Sequence, residues 1–175
     1  MNQDAKQGNK TDDEQKRPGK VRGRKYRELW NRPGYLVRRL HQIHIGLFIE
    51  ECGNEDITPV QFGMLSALES GEEMDQLTLS TAVGVDRVSG ADVIRRLERR
   101  GLLERNPSKQ DKRAKLIKIT DAGTTFANHV RPMMAKAQSK LMDPLNEAER
   151  EEFQRLITKM VDANNKASRA PMGSP

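Results

Sequence analysis

Two stretches carry side chains suited to gripping an anionic polymer. The first is DRVSGADVIRRLERR, residues 86–100, where arginines stand beside a serine and two aspartates. Guanidinium forks match phosphates and guanine edges, and a hydroxyl or carboxylate beside them can meet base amino groups. The second is NPSKQDKRAKLIKIT, residues 106–120, a polar turn followed by alternating basic and apolar residues. One acid, Asp111, sits there among Lys109, Lys112, Arg113 and Lys115. Either stretch alone could be no more than a solvated charged face.

Other chemistry is thinly represented. His41 and His44 stand three apart, so a helix would put both imidazoles on one face, as a metal pair needs. The further soft ligands are His129 and Cys52, and no helical spacing brings either to that face. A lone histidine on an apolar face is more often a satisfied core or interface residue. We therefore expect no metal and no cofactor. Cys52 is the sole cysteine, which excludes an internal disulfide, and it is expected as a partly buried thiol of ordinary pKa. There is no phosphate-cradling glycine loop, no Gly-x-Ser-x-Gly and no His-Glu-x-x-His. An enzyme is not expected.

The elements that must position these residues are legible. GYLVRRLHQIHIGLFIEEC, residues 34–52, is a long helix after Pro33, with Leu36, Leu40, Ile43 and Leu47 in one stripe beside Val37, His44 and Phe48. So wide an apolar face predicts burial on more than one side. Thr58-Pro59-Val60-Gln61 is a capping box opening a helix with Phe62, Leu65 and Leu68 inward, ending near Gly71. Asp75 caps a short helix with apolar Leu77, Leu79, Ala82 and Val83, broken at Gly84. Asp86 caps the next, with Gly90, Val93, Ile94 and Leu97 inward, and Gly101 stops it. Arg87, Val88, Ser89, Asp92, Arg95 and Arg96 then face outward, and Asp92 is placed to pair with Arg96 one turn on. Residues 102–105 and 115–119 form a two-stranded hairpin. Thr120 and Asp121 start a further helix with Pro132 inside it. Asn146 to Glu149 cap a last one carrying Phe153, Leu156, Ile157, Met160 and Val161.

Helix, tight turn, helix and basic hairpin is the order of a winged helix-turn-helix. Its second helix enters the major groove by its N-terminal end. The formal net charge of +6 suits such an anionic partner. No apolar run approaches the roughly eighteen residues of a membrane span, and the N-terminus lacks the apolar core of a secretory signal. A cytoplasmic chain without a membrane partner is expected. The expected organisation is a basic tail over 1–24, an N-terminal dimerisation and effector helix over 25–56, and a winged helix-turn-helix over 57–123. C-terminal dimerisation helices over 124–165 and a tail over 166–175 follow. The fold class is mainly α with a small β-hairpin wing.

The run from 86 to 123 resembles the multiple-antibiotic-resistance regulator (MarR) family. The matching positions are Leu97-Glu98-Arg99-Arg100-Gly101-Leu102, then Arg105, Asp111-Lys112-Arg113 and Ile119-Thr120-Asp121-Ala122-Gly123. The resemblance extends over about residues 35 to 163. It implies that Arg113 enters the minor groove at the wing tip and that Asp111 steadies it by an ion pair. It also implies that Arg87 and Ser89 meet DNA in the major groove, within a surface of Val88, Asp92, Arg95, Arg96, Lys109 and Lys112. Family members are homodimers with interlocked first and last helices, which implies a pseudo-palindromic DNA operator. They generally bind small aromatic anions between the dimer helices and the winged domain. Tyr35, Arg38, His41 and His44, spaced along one helix, are the residues this implies for an aromatic carboxylate effector. The segment DRVSGADVIRRLE looks closer to the branch controlling aromatic-acid catabolism, which implies a nicotinate-type or related aromatic acid as effector. The sequence departs from many relatives at Gly90, where they carry an apolar residue, and at Asp92, where they carry a basic or hydroxyl one. The expectation is a ligand-released transcriptional repressor. A protein-binding winged-helix module and a metal-responsive regulator of the same fold are the alternatives.

Overall fold

The computed structural model describes residues 26–108 and 115–172. The chain divides after Arg39 into two compact units. In the first, helix α1 (Arg27–Trp30) is a single turn, and the Tyr26 and Trp30 rings stack with centroids 6.1 Å apart. Helix α2 (Pro33–Cys52) begins in this unit and ends in the second.

The second unit holds the rest. A 3-10 turn (Gly53–Glu55) follows α2, then α3 (Pro59–Ala67), strand β1 (Met74–Asp75), α4 (Gln76–Ala82) and α5 (Arg87–Arg99). Strands β2 (Leu103–Pro107) and β3 (Lys115–Ile119) come next, then α6 (Asp121–Met142) and α7 (Glu147–Asn164). Both capping boxes form. Thr58 Oγ1 accepts from Gln61 N–H while Gln61 Oε1 accepts from Thr58 N–H, and Asn146 and Glu149 exchange the same pair of bonds. Each satisfies two donors that a helix start leaves without partners. Pro132 lies within α6, which runs on through it to Met142.

The core gathers the apolar positions that helical spacing selects. Phe48 and Cys52 of α2 meet Met64, Leu65 and Leu68 of the α3 region, Leu79, Ile94, Leu97, Ile117 and Val130, all under 2% exposed. Two faces stay outside it. On α2, Leu36, Val37, Ile43 and Ile49 are exposed, and α7 buries no residue, with Leu156, Ile157, Met160 and Val161 open to solvent.

The expected two-stranded hairpin is part of a three-stranded antiparallel sheet, ordered β1-β3-β2. Met74 pairs with Ile117, and Leu103 with Ile119. β1 has only two residues, too few to show an alternation of period two. The first hairpin strand runs 103–107 rather than 102–105. Beyond α7, a 3-10 turn (Asn165–Ala167) begins what the sequence reads as a tail. There the Asn165 side-chain amide donates to Met172 O at 2.7 Å and accepts from Met172 N–H at 2.9 Å.

Candidate nucleic-acid interface

Helices α4 and α5 start with the same device. Asp75 accepts from Leu77 N–H (2.8 Å), Thr78 N–H (3.0 Å) and the Thr78 hydroxyl (2.7 Å). Asp86 accepts from Val88 N–H and Ser89 N–H (3.0 Å each) and the Ser89 hydroxyl (2.6 Å). These bonds favour the ionised form, so both carboxyls lie below their ordinary value. The hydroxyl bond is the first cause in each case.

The turn between them is tight because Gly84 takes φ +69°, and Val85 N–H donates to Ser80 O at 3.0 Å. Closeness of the two helices depends on Gly90. A Cβ there would lie 1.9 Å from Ser80 Oγ and 2.7 Å from Ser80 Cβ. Ser80 is itself buried and fixed, its hydroxyl donating to Gln76 O at 2.7 Å. The departure at Gly90 thus has a packing cause: α4 brings a serine against α5 where no side chain fits. Gln76 Nε2 adds a bond across the pair, donating to Arg87 O at 3.3 Å.

Gly90, Ile94 and Leu97 are buried and Val93 packs partly against the core, so the inward face of α5 is as its spacing predicts. Arg87, Val88, Ser89, Asp92, Arg95 and Arg96 are all exposed. One pairing differs from expectation. Asp92 Oδ1 lies 3.1 Å from Arg95 Nη1, not against Arg96. Both i+3 and i+4 neighbours lie on the same helix face, so spacing alone does not select between them. Val88 stands out chemically, a valine 75% exposed on the first turn of a charged face.

Two basic residues outside the predicted surface hold α5 in place. Arg105 Nε of β2 lies 2.8 Å from Glu98 Oε1. Arg100, just past the end of α5, donates from Nη2 to Glu55 O at 3.2 Å and from Nη1 to Asp56 O, while its guanidinium sits 4.8 Å from the Phe126 ring centroid. Asp56 takes a left-handed φ of +48°, and His129 Nε2 lies 3.1 Å from Glu55 Oε1. Sequence reasoning missed this corner. Arg100 looks like its neighbour Arg99, and only the fold brings carbonyls 44 and 45 residues away to it.

The wing is anchored on the helical body. Thr120 Oγ1 donates to Gly101 O at 2.7 Å and accepts from Gly123 N–H at 3.0 Å. Gly123 has no room for a side chain, because a Cβ would lie 2.1 Å from Leu102 O. Lys109, Asp111, Lys112 and Arg113 lie outside the described residues.

The four expected effector residues all belong to α2. In the first unit, the Arg38 guanidinium lies 5.4 Å from the Tyr35 ring centroid. In the second, the His41 and His44 rings are 6.5 Å apart and tilted by 43°, with His41 exposed and His44 half-buried. Among the described residues, no three His, Cys, Asp or Glu side chains converge as a metal site would require. The end of α2 is tied to α6 by ion pairs: Lys136 to Glu51 at 2.8 Å, and Lys140 to Glu50 at 2.6 Å and to Glu51. The lysines hold the Glu51 carboxyl below its ordinary value. Cys52 corrects its expectation: it is fully buried rather than partly so, and burial pushes its thiol up from the ordinary value. No described helix is long and apolar enough to cross a membrane.

Comparison with known proteins agrees with this geometry. The MarR family pattern matches residues 57–115. The chain is 28% identical over 134 residues to the transcriptional repressor NicR of Pseudomonas putida, covering 77% of this chain and 85% of NicR. The structure of Bordetella bronchiseptica BpsR, whose DNA binding is regulated by 6-hydroxynicotinic acid, matches with TM-score 0.73 at 28% identity, over 76% of this chain and 95% of BpsR. The Streptomyces coelicolor regulator PcaV, solved with its natural ligand, is 35% identical with TM-score 0.70, over 77% of this chain and 95% of PcaV. The chain belongs to the MarR family, whose members are DNA-binding transcriptional regulators and not enzymes.

Proposed function

We propose that the chain is a ligand-responsive transcriptional repressor. It binds a pseudo-palindromic operator as a homodimer and is released by a small aromatic acid of the hydroxynicotinate class. The observation that carries the DNA-binding part is the first turn of α5. There Arg87, Val88 and Ser89 stand exposed on a helix whose opposite face is locked into the core. An outward guanidinium at Arg87 on the first turn of such a helix suits the major groove. Asp92, Arg95 and Arg96 extend that surface, and the family resemblance assigns the remaining DNA contacts to Lys109, Asp111, Lys112 and Arg113.

The homodimer is supported by the uncovered apolar faces of α2 and α7, which water disfavours leaving open. Two-fold symmetry then sets the half-sites about one helical turn apart. Resemblance to BpsR, whose DNA binding is regulated by 6-hydroxynicotinic acid, supports the effector class. Tyr35, Arg38, His41 and His44 supply the aromatic surface, cation and donors it would use. Ligand binding weakens operator affinity by favouring a dimer whose recognition helices no longer match the half-site spacing.

Gel retardation with the promoter DNA upstream of the chain's own gene tests the reading. A specific shift is expected at moderate salt, lost for Arg113→Ala and reversed by hydroxynicotinates. No shift refutes the repressor. A shift that no aromatic acid reverses refutes the effector class alone.

A further inference from the structure

The outward chemistry of the first turn of α5 is narrower than its residue types suggest. Asp86, ionised at neutral pH, can only accept hydrogen bonds, so its 2.6 Å contact with Ser89 Oγ commits the hydroxyl proton to the carboxylate. What Ser89 turns outward is lone-pair density alone. A serine free to rotate could meet either a donor or an acceptor on a base edge, and this one can meet only a donor. In the major groove the base donors are the adenine N6 and cytosine N4 amino groups.

Beside it Val88 is 75% exposed, the most open of the large apolar side chains among the described residues, and no other residue on the outward face of α5 is apolar. It sits one residue from the start of the helix, between Arg87 and Ser89. The one methyl group in the major groove is the thymine C5 methyl. The Val88 side chain has no polar atom with which to bind a phosphate, and its N–H is bound by Asp86, so its exposure adds nothing to charge-driven affinity.

Resting on the DNA-binding reading above, we propose that Val88 and Ser89 determine operator specificity. Val88 packs on the 5-methyl group of one thymine per half-site, and Ser89 Oγ accepts from an adenine or cytosine amino group at the same or the adjacent base pair. Arg87 supplies affinity at the same turn, and the Asp86 cap holds all three in register.

The probe is a set of duplexes enriched from a randomised pool by the full-length protein. Each thymine of the enriched duplex is then replaced in turn by deoxyuridine, which removes only the methyl group. One replacement per half-site is expected to weaken wild-type binding about fourfold, the worth of one buried methyl-sized group. Val88→Ala, on an exposed site of good helix propensity, is expected to bind more weakly and to be indifferent to that same replacement. Val88→Thr, which retains one methyl, restores part of the sensitivity. In a parallel enrichment Ser89→Ala loses its preference at the adenine or cytosine position while keeping the thymine preference. Wild-type affinity indifferent to every deoxyuridine would overturn the Val88 assignment and leave the DNA-binding reading standing. So would a Val88→Ala protein that still senses the methyl. A Ser89→Ala protein with an unchanged preferred sequence would overturn the Ser89 assignment. Failure to enrich any sequence would overturn the DNA-binding reading and this inference with it.

Discussion

Helices α4 and α5 open on the same pattern of an aspartate, a polar, an aliphatic and a hydroxyl residue, Asp75-Gln76-Leu77-Thr78 and Asp86-Arg87-Val88-Ser89. Each aspartate caps the second and third backbone N–H groups and binds the hydroxyl at the third position. The cap therefore does not distinguish the two helices. The residue just after it does. Gln76 reaches across to Arg87 O and is spent on internal support, whereas Arg87 uses only its carbonyl internally and leaves its guanidinium outside. The same local solution spends one helix start on a brace and leaves a cation outward on the other, because a single position carries an amide in one and a guanidinium in the other.

The comparison is most severely broken at the place where the helices touch. Gly90→Ala puts a Cβ into Ser80 Oγ and is expected to cost about 1–3 kcal/mol of stability, read from the urea midpoint. Ser80→Gly in the same chain should recover part of it, so the pair is less destabilised than the sum of the single changes. Additive losses would show that the contact is not what requires glycine.

The caps come next. Asp75→Ala should cost about 1 kcal/mol of stability, as loss of a helix cap generally does, and leave operator binding nearly unchanged. Asp86→Ala should lower stability too, and in addition weaken operator binding by freeing the Ser89 hydroxyl and loosening the exposed turn. Equal effects of both on DNA affinity, measured by fluorescence anisotropy, would erase the distinction between brace and surface.

Acid should act on both helices alike. Each cap carboxyl sits below its ordinary value of 3.8 in the folded state. The stability these carboxylates contribute is fully present above that value and is lost as pH falls through the lower folded one. Replacing both with asparagine, which still caps, should flatten the acid limb of a stability-versus-pH curve while leaving neutral stability close to that of the parent. The smallest structural effect belongs to Gln76→Ala, about 0.5 kcal/mol, for one long and exposed hydrogen bond. Outside the pair, Cys52 should resist thiol reagents in the native protein and react only on unfolding, since it is buried and its thiolate disfavoured.

Local signals were readable without a structure. Thr58, Asp75, Asp86, Thr120 and Asn146 each cap the helix whose start they mark, because a cap is written within four residues. The inward face of α5 was readable from its period, and so was the exposure of Arg87, Val88 and Ser89. Long-range features were not. β1 is defined by its partner Ile117 rather than by its own residues, and Arg100 by carbonyls of a turn far back in the chain. The partner of Asp92 turned on a rotamer, which spacing does not encode. Gly90 was visible as an anomaly, but its reason lay in Ser80 on the other helix.

The central claim is that the first turn of α5 is the DNA-reading surface and not one more patch on a basic chain. Fluorescence anisotropy of the promoter duplex with full-length Arg87→Ala, compared with Arg169→Ala, tests it directly, because both changes remove one positive charge. The account predicts that Arg87→Ala loses at least about fivefold in affinity for the specific duplex while Arg169→Ala stays close to wild type. Equal affinities for the two variants would contradict it.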